Sequence, residues 1–188
     1  MPAQPQPNER YTYEDYMSWE TDERWEIIDG VPYMVSAPTW QHQAALMELA
    51  NQLHNYLKSK GKPCRVFAAP FDVRLFPEDG DDTVVQPDIV VVCDTSRLER
   101  TGCKGAPDMV IEILSPSTAA QDNLRKFNIY KRAAVKEYWI ADPEGKSVTT
   151  YLLKDGEYIA RAFWGEQSVP VSILPELQVN LADVFEQE

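Results

Sequence analysis

The chain has 188 residues and a mass of 21.5 kDa, a length that one hydrophobic core can serve. With 44% hydrophobic, 11% aromatic and 26% charged residues, it has enough apolar surface to bury to exclude disorder, and no run reaches the roughly 20 apolar residues of a membrane span. The net charge of −12, from 18 basic and 30 acidic residues, excludes nucleic-acid coating by charge alone, because that affinity comes from Lys and Arg displacing counterions.

The charge is unevenly spread. Residues 1–30 hold eight acids against Arg10 and Arg24, whereas residues 97–136 hold eight bases against four acids. A local cationic surface is therefore compatible with the balance, and Lys58, Lys60, Lys62 and Arg65 add to it. Cys64, Cys93 and Cys103 are odd in number and lack CxxC spacing, so neither a disulfide framework nor a zinc site is expected. Cys93 reads as a small core residue in a reducing compartment. The Pro-rich start, Met1 to Asn8, lacks the basic and apolar regions of a signal peptide. A cytoplasmic protein without membrane contact is the expectation.

In chain order, residues 1–10 read as a flexible arm, and residues 11–188 as a single domain. Thr12 is placed to cap a short helix carrying Tyr16, Met17 and Trp19. Trp25–Ile28 and Val31–Val35 flank Asp29-Gly30, a tight-turn signal, and read as a hairpin. From Thr39, Ala45, Leu46, Leu49, Leu53 and Leu57 recur at helical spacing until Gly61 and Pro63 close the run. Strands are expected at Arg65–Ala69, Phe71–Phe76, Val84–Cys93 and Met109–Leu114, the last two apolar on both faces as in a covered sheet. Residues 94–107 read as a loop with at most one short helix. A second helix follows Ser115-Pro116-Ser117-Thr118 and runs to about Ala134. Then come a buried strand at Glu137–Ala141, a C-terminal hairpin turning at Asp155-Gly156, and a short helix around Leu181–Phe185. The sum is an α/β domain with a mixed central β-sheet flanked by helices.

Two residues break the apolar pattern in a way that points to chemistry. Glu112 sits inside Val110-Ile111-Glu112-Ile113-Leu114, and Asp88 inside Val84 to Val92. A carboxylate there is costly unless paired or bound to a metal. Two such acids on two apolar strands suit a hard divalent cation, and Mg²⁺ takes one or two protein carboxylates while keeping several waters. The plainer alternative places each acid at a strand end, capping a loop or pairing with an arginine. Asp122, Lys126 and Tyr130 recur every four residues on one helical stripe. An ammonium on that stripe can stabilise negative charge on a phosphate, although on spacing alone an Asp122–Lys126 surface pair is the favoured explanation.

The ordered series Trp25-Glu26-Ile27-Ile28-Asp29-Gly30, His42, Gln86-Pro87-Asp88, Glu112 with Ser115-Pro116-Ser117, then Asp122, Lys126 and Tyr130, and finally Glu137-Tyr138-Trp139-Ile140, resembles the Uma-two family of restriction-endonuclease-like proteins. That family falls within the PD-(D/E)XK nuclease superfamily. The resemblance covers most of the chain and implies a restriction-endonuclease-like fold and a Mg²⁺-dependent endonuclease acting on DNA, with Mn²⁺ able to substitute. It implies Asp88 and Glu112 as catalytic metal ligands, the Ile113 carbonyl as a further ligand, Lys126 as the catalytic ammonium, and Glu26 as an additional acid. Gln86, His42, Asp122 and Tyr130 are implied as substrate contacts. One departure stands out: the superfamily pattern puts a lysine two residues after the second acid, and this chain has Leu114 there. Lys126 is the natural replacement.

His42 can also act as a base, since an imidazole titrates near neutrality, or cap its helix. His54 reads as a surface or packing residue. No GxSxG, Walker or GxGxxG motif is present. DNA is the expected partner, and a homodimer the expected assembly. The competing reading, drawn from Leu114 and the acidic balance, is a catalytically retired nuclease-like fold serving as a binding or assembly module.

Overall fold

The structure is a computed structural model that describes residue 5 and residues 9–115 and 119–185, apart from the side chains of 119–123. The expected arm at residues 1–10 therefore lies largely outside the described residues, and residues 116–118 wholly so. Thr12 caps α1 (Tyr13–Met17) by accepting from the Asp15 backbone, and Asp15 answers in a reciprocal capping box. Asp29 and Gly30 both adopt positive φ, 50° and 77°, so the tight turn joins β1 (Arg24–Ile28) to β2 (Val31–Val35). Thr39 caps α2 (Trp40–Lys60), and Gly61, left-handed at φ 58°, ends it.

The strands that follow are shorter than their apolar runs. They are β3 (Arg65–Ala68), β4 (Asp72–Arg74), β5 (Val84–Val85), β6 (Ile89–Val92), β7 (Gly102–Lys104) and β8 (Met109–Ile113). The run expected as one strand over Val84–Cys93 divides at Gln86-Pro87-Asp88, because proline has no N–H to continue a ladder. Beyond α3 (Ala119–Arg132) come β9 (Glu137–Asp142), β10 (Ser147–Lys154), β11 (Glu157–Trp164), β12 (Ser168–Pro170), β13 (Gln178–Asn180) and α4 (Leu181–Phe185).

The division at Pro87 also separates two sheets. A six-stranded sheet runs β11-β10-β9-β8-β6-β3, with β8 and β9 parallel and the other neighbours antiparallel. A five-stranded sheet runs β2-β1-β5-β4-β7, its only parallel pair being β4 with β7. The expected mixed sheet and both hairpins are present, but the N-terminal hairpin belongs to this second sheet. The six-stranded sheet is covered on both faces. Odd-numbered residues of β8 (Met109, Ile111, Ile113) pack with α2 and with the β12–β13 ribbon and α4. On the other face, Val90, Val110 and Tyr138 meet Ile129 and Tyr130 of α3 and Val73 and Val85 of the five-stranded sheet. Burial of these aliphatic and aromatic side chains, at about 25 cal/mol per Å², is the main stabilising term.

The cysteines correct an expectation. Cys64 and Cys93 form a disulfide, one step beyond the Arg65↔Val92 pair of β3 and β6, so strand register brings them face to face. Cysteine usage therefore no longer argues for a reducing compartment. Cys103 is free and buried, and burial pushes its thiol up to about 11.

Candidate active site

The division at Pro87 places Asp88 at the start of β6, immediately before the buried run Ile89–Val92. The β6–β8 register pairs Ile89 with Ile111, so one step further Asp88 comes opposite Glu112. The two acids face a common cleft of about 100 Å³ whose wall also includes Glu26, His42 and Lys126. Four elements and the Pro87 break deliver these five groups: β1, the N-terminal turn of α2, β8 and α3. A larger cleft, about 410 Å³, opens at the far end of α2 beside Lys58, Lys62 and Arg65, and it contains none of the site acids.

The hydrogen bonds inside the smaller cleft are dense. Asp88 Oδ2 accepts from the Ile113 N–H at 2.7 Å and lies 3.2 Å from His42 Nε2. Lys126 Nζ reaches Glu26 Oε1 at 3.1 Å and Glu112 Oε1 at 3.2 Å. Glu112 Oε1 also accepts from the Tyr130 hydroxyl at 2.5 Å. Glu26 Oε1 further accepts from the Gln86 backbone N–H at 2.8 Å. Glu26, Glu112 and Lys126 are 3%, 7% and 7% exposed, so these groups interact with little water between them.

Removal of Glu112 from water is the largest influence on its carboxyl, and the neighbouring Asp88 and Glu26 add to it. Lys126 and the Tyr130 hydroxyl pull the other way. The outcome is a carboxyl raised from 4.5 to about 8, one that holds its proton near neutrality while no cation shares the site. Burial and the adjacent Glu112 likewise raise the Tyr130 phenol, which remains a donor.

The structure sorts the residues singled out from sequence. Glu26, Asp88, Glu112, Lys126 and His42 share the cleft, and Ile113 lines it, its N–H donating to Asp88. Tyr130, expected as a substrate contact, is fully buried and donates its hydroxyl to Glu112. Gln86 lines the cleft, yet its amide is engaged by Arg24, Tyr16 and Asp72. The side chain of Asp122 lies outside the described residues. His54 is exposed on α2. Sequence reasoning missed Arg24, which lines the cleft; Ser115, noted only as part of the series before the second helix, lines it too. The signal for Arg24 was available: it lies two residues before Glu26 on a strand and so shares its face.

The cleft opens where the two sheets meet, beside the inner strands β6 and β8 of a mixed α/β fold. A solved structure from Anabaena variabilis, described as "a putative nuclease belonging to DUF820", matches it with a TM-score of 0.75 over 93% of this chain and 97% of that one, at 23% identity. The family model described as "Uma2: Putative restriction endonuclease" matches residues 13–182, and the chain belongs to that family. An uncharacterized protein of Synechocystis sp. is 26% identical over 157 residues, 82% of this chain and 79% of its own length.

Proposed function

We propose that this protein is a divalent-metal-dependent endonuclease that hydrolyses DNA phosphodiester bonds. The observation that supports the reading most is the convergence of two strand carboxylates, a third acid and a buried lysine in one cleft, in a chain of this family. Among the described residues there is no group of three His, Cys, Asp or Glu side chains positioned to hold a metal. The donor set is instead a sparse one: Asp88 and Glu112, with the Ile113 carbonyl, would hold Mg²⁺, or Mn²⁺ in its place. The ammonium of Lys126 between Glu26 and Glu112 marks this as a place where positive charge is favourable.

When bound, such a cation polarises a phosphodiester and lowers the pKa of a coordinated water. The protein's own groups do the rest. His42 and the Ile113 N–H hold Asp88 at one angle, and Tyr130 does the same for Glu112. Glu26 restrains Lys126, whose ammonium faces the negative charge that grows on the phosphate oxygens during in-line attack. Lys126 thereby supplies from α3 the charge that Leu114 cannot supply from β8. A homodimer would set two such clefts on the two strands of one duplex, and a cytoplasmic setting would give access to DNA.

Incubation with supercoiled plasmid and Mg²⁺ or Mn²⁺ tests the reading. Wild type should nick and linearise the plasmid, and Asp88→Ala, Glu112→Ala and Lys126→Ala should each reduce the rate at least about a hundredfold, a typical loss for removing one preorganised charge-stabilising group. Equal cutting by all four proteins would assign the activity to a contaminant. A wild type that binds metal but never cuts would favour a binding module instead.

A further inference from the structure

Arg24 stands two residues from Glu26 on β1 and lines the same cleft. Its Nε donates to Gln86 Oε1 at 2.9 Å. That amide is fixed in turn: Gln86 Nε2 donates to the Tyr16 hydroxyl at 2.9 Å and to Asp72 Oδ1 at 2.9 Å, and Tyr16 donates to the same Asp72 oxygen at 3.1 Å. With both ends of its amide engaged, and its N–H held by Glu26, Gln86 has no freedom to release the guanidinium.

The rest of the arginine is uncommitted. Among the described residues, neither Nη of Arg24 has a hydrogen-bond partner, and no ion pair joins Arg24 to Asp72, Glu26 or Asp88. Gln86 stands between Arg24 and Asp72, so the acid orients the arginine through an amide and leaves both Nη groups free to donate. A planar fork of free donors, held by Nε at the wall of a cleft rich in carboxylates, suits an incoming tetrahedral oxyanion, which it can grip with two parallel N–H···O bonds.

We propose that Arg24 is a substrate-binding residue that grips a backbone phosphate of the nucleic acid entering the cleft, with Gln86, Asp72 and Tyr16 as its positioning residues. This assignment rests on the nuclease reading. It changes the role of Gln86 from substrate contact to the support that aims Arg24. It also offers a chain of −12 a specific cationic contact beside the acids, where general charge would repel DNA.

The test measures binding of a fluorescent duplex oligonucleotide by anisotropy, with Ca²⁺ replacing Mg²⁺ to prevent cutting, across a salt series. Arg24→Ala should weaken binding about tenfold or more, as expected for hydrogen bonds to a charged group, and reduce the salt slope by about one. Arg24→Lys should restore the slope but only part of the affinity, because a lysine keeps the charge and loses the fork. Gln86→Ala should weaken binding with the slope unchanged. Mn²⁺ titration should give the same affinity for wild type and all three variants, which separates this role from metal binding and from loss of fold. If wild type binds Mn²⁺ and DNA while Arg24→Ala matches it in affinity and slope, the Arg24 assignment is overturned and the nuclease reading stands. If wild type binds neither, both fall together.

Discussion

Glu112 carries the charge balance of the cleft, and its behaviour with pH follows from its surroundings. Its folded carboxyl is raised from 4.5 to about 8, first by burial and then by Asp88 and Glu26. The native state thus holds this proton more tightly than the unfolded chain does. Its contribution to stability is fully present below about 4.5 and is lost as pH rises towards 8. Denaturant titrations of metal-free protein should therefore show stability falling across that window, with Glu112→Gln flattening the fall. Metal binding displaces the proton, so Mn²⁺ affinity should rise with pH over the same range. The Tyr130 hydroxyl favours the ionised carboxylate; Tyr130→Phe should cost about 1–3 kcal/mol for the lost charge-assisted bond and move the rise in cleavage rate to higher pH. Glu112 and Asp88 were legible in the sequence because acids interrupt apolar runs. The bond from Tyr130 to Glu112 was not, since a helical stripe shows which residues align but not which way the helix turns them.

At the scale of elements, the site depends on where strands stop. Pro87 ends β5, and Asp88 gains its position from the restart at Ile89. The hairpins and α2 were readable from turn dipeptides, periodicity and caps. The three-residue strands β7, β12 and β13 were not, because three residues carry no period and their pairing is set by tertiary contact. The β4–β7 pair has a strict steric requirement. A Cβ on Gly102 would lie 2.1 Å from the Asp72 carbonyl oxygen, and backbone cannot yield as a side-chain tip can. Gly102→Ala should thus destabilise the fold by about 1–3 kcal/mol, the usual cost of overpacking, read from the denaturant midpoint. Because Asp72 anchors Gln86, the same variant should also weaken DNA binding.

For the whole molecule, charge and topology act together. The two sheets meet at Gln86-Pro87-Asp88, so Glu26 from the N-terminal hairpin and Glu112 from the six-stranded sheet are brought to one lysine. No local pattern encodes that meeting, because it joins residues 100 apart in sequence. The disulfide between Cys64 and Cys93 escaped notice for a related reason: a separation of 29 residues says nothing until the β3–β6 register is known. An acidic balance of this size disfavours non-specific DNA binding, so in the proposed reading recognition falls to the cleft. The property we propose for it is a cation shared by Asp88 and Glu112, and calorimetric titration of the metal-free protein with Mn²⁺ measures that directly. One bound ion per chain is predicted, with binding abolished by Asp88→Asn and by Glu112→Gln. A wild type that takes up no ion, or variants that bind as wild type does, would contradict the account.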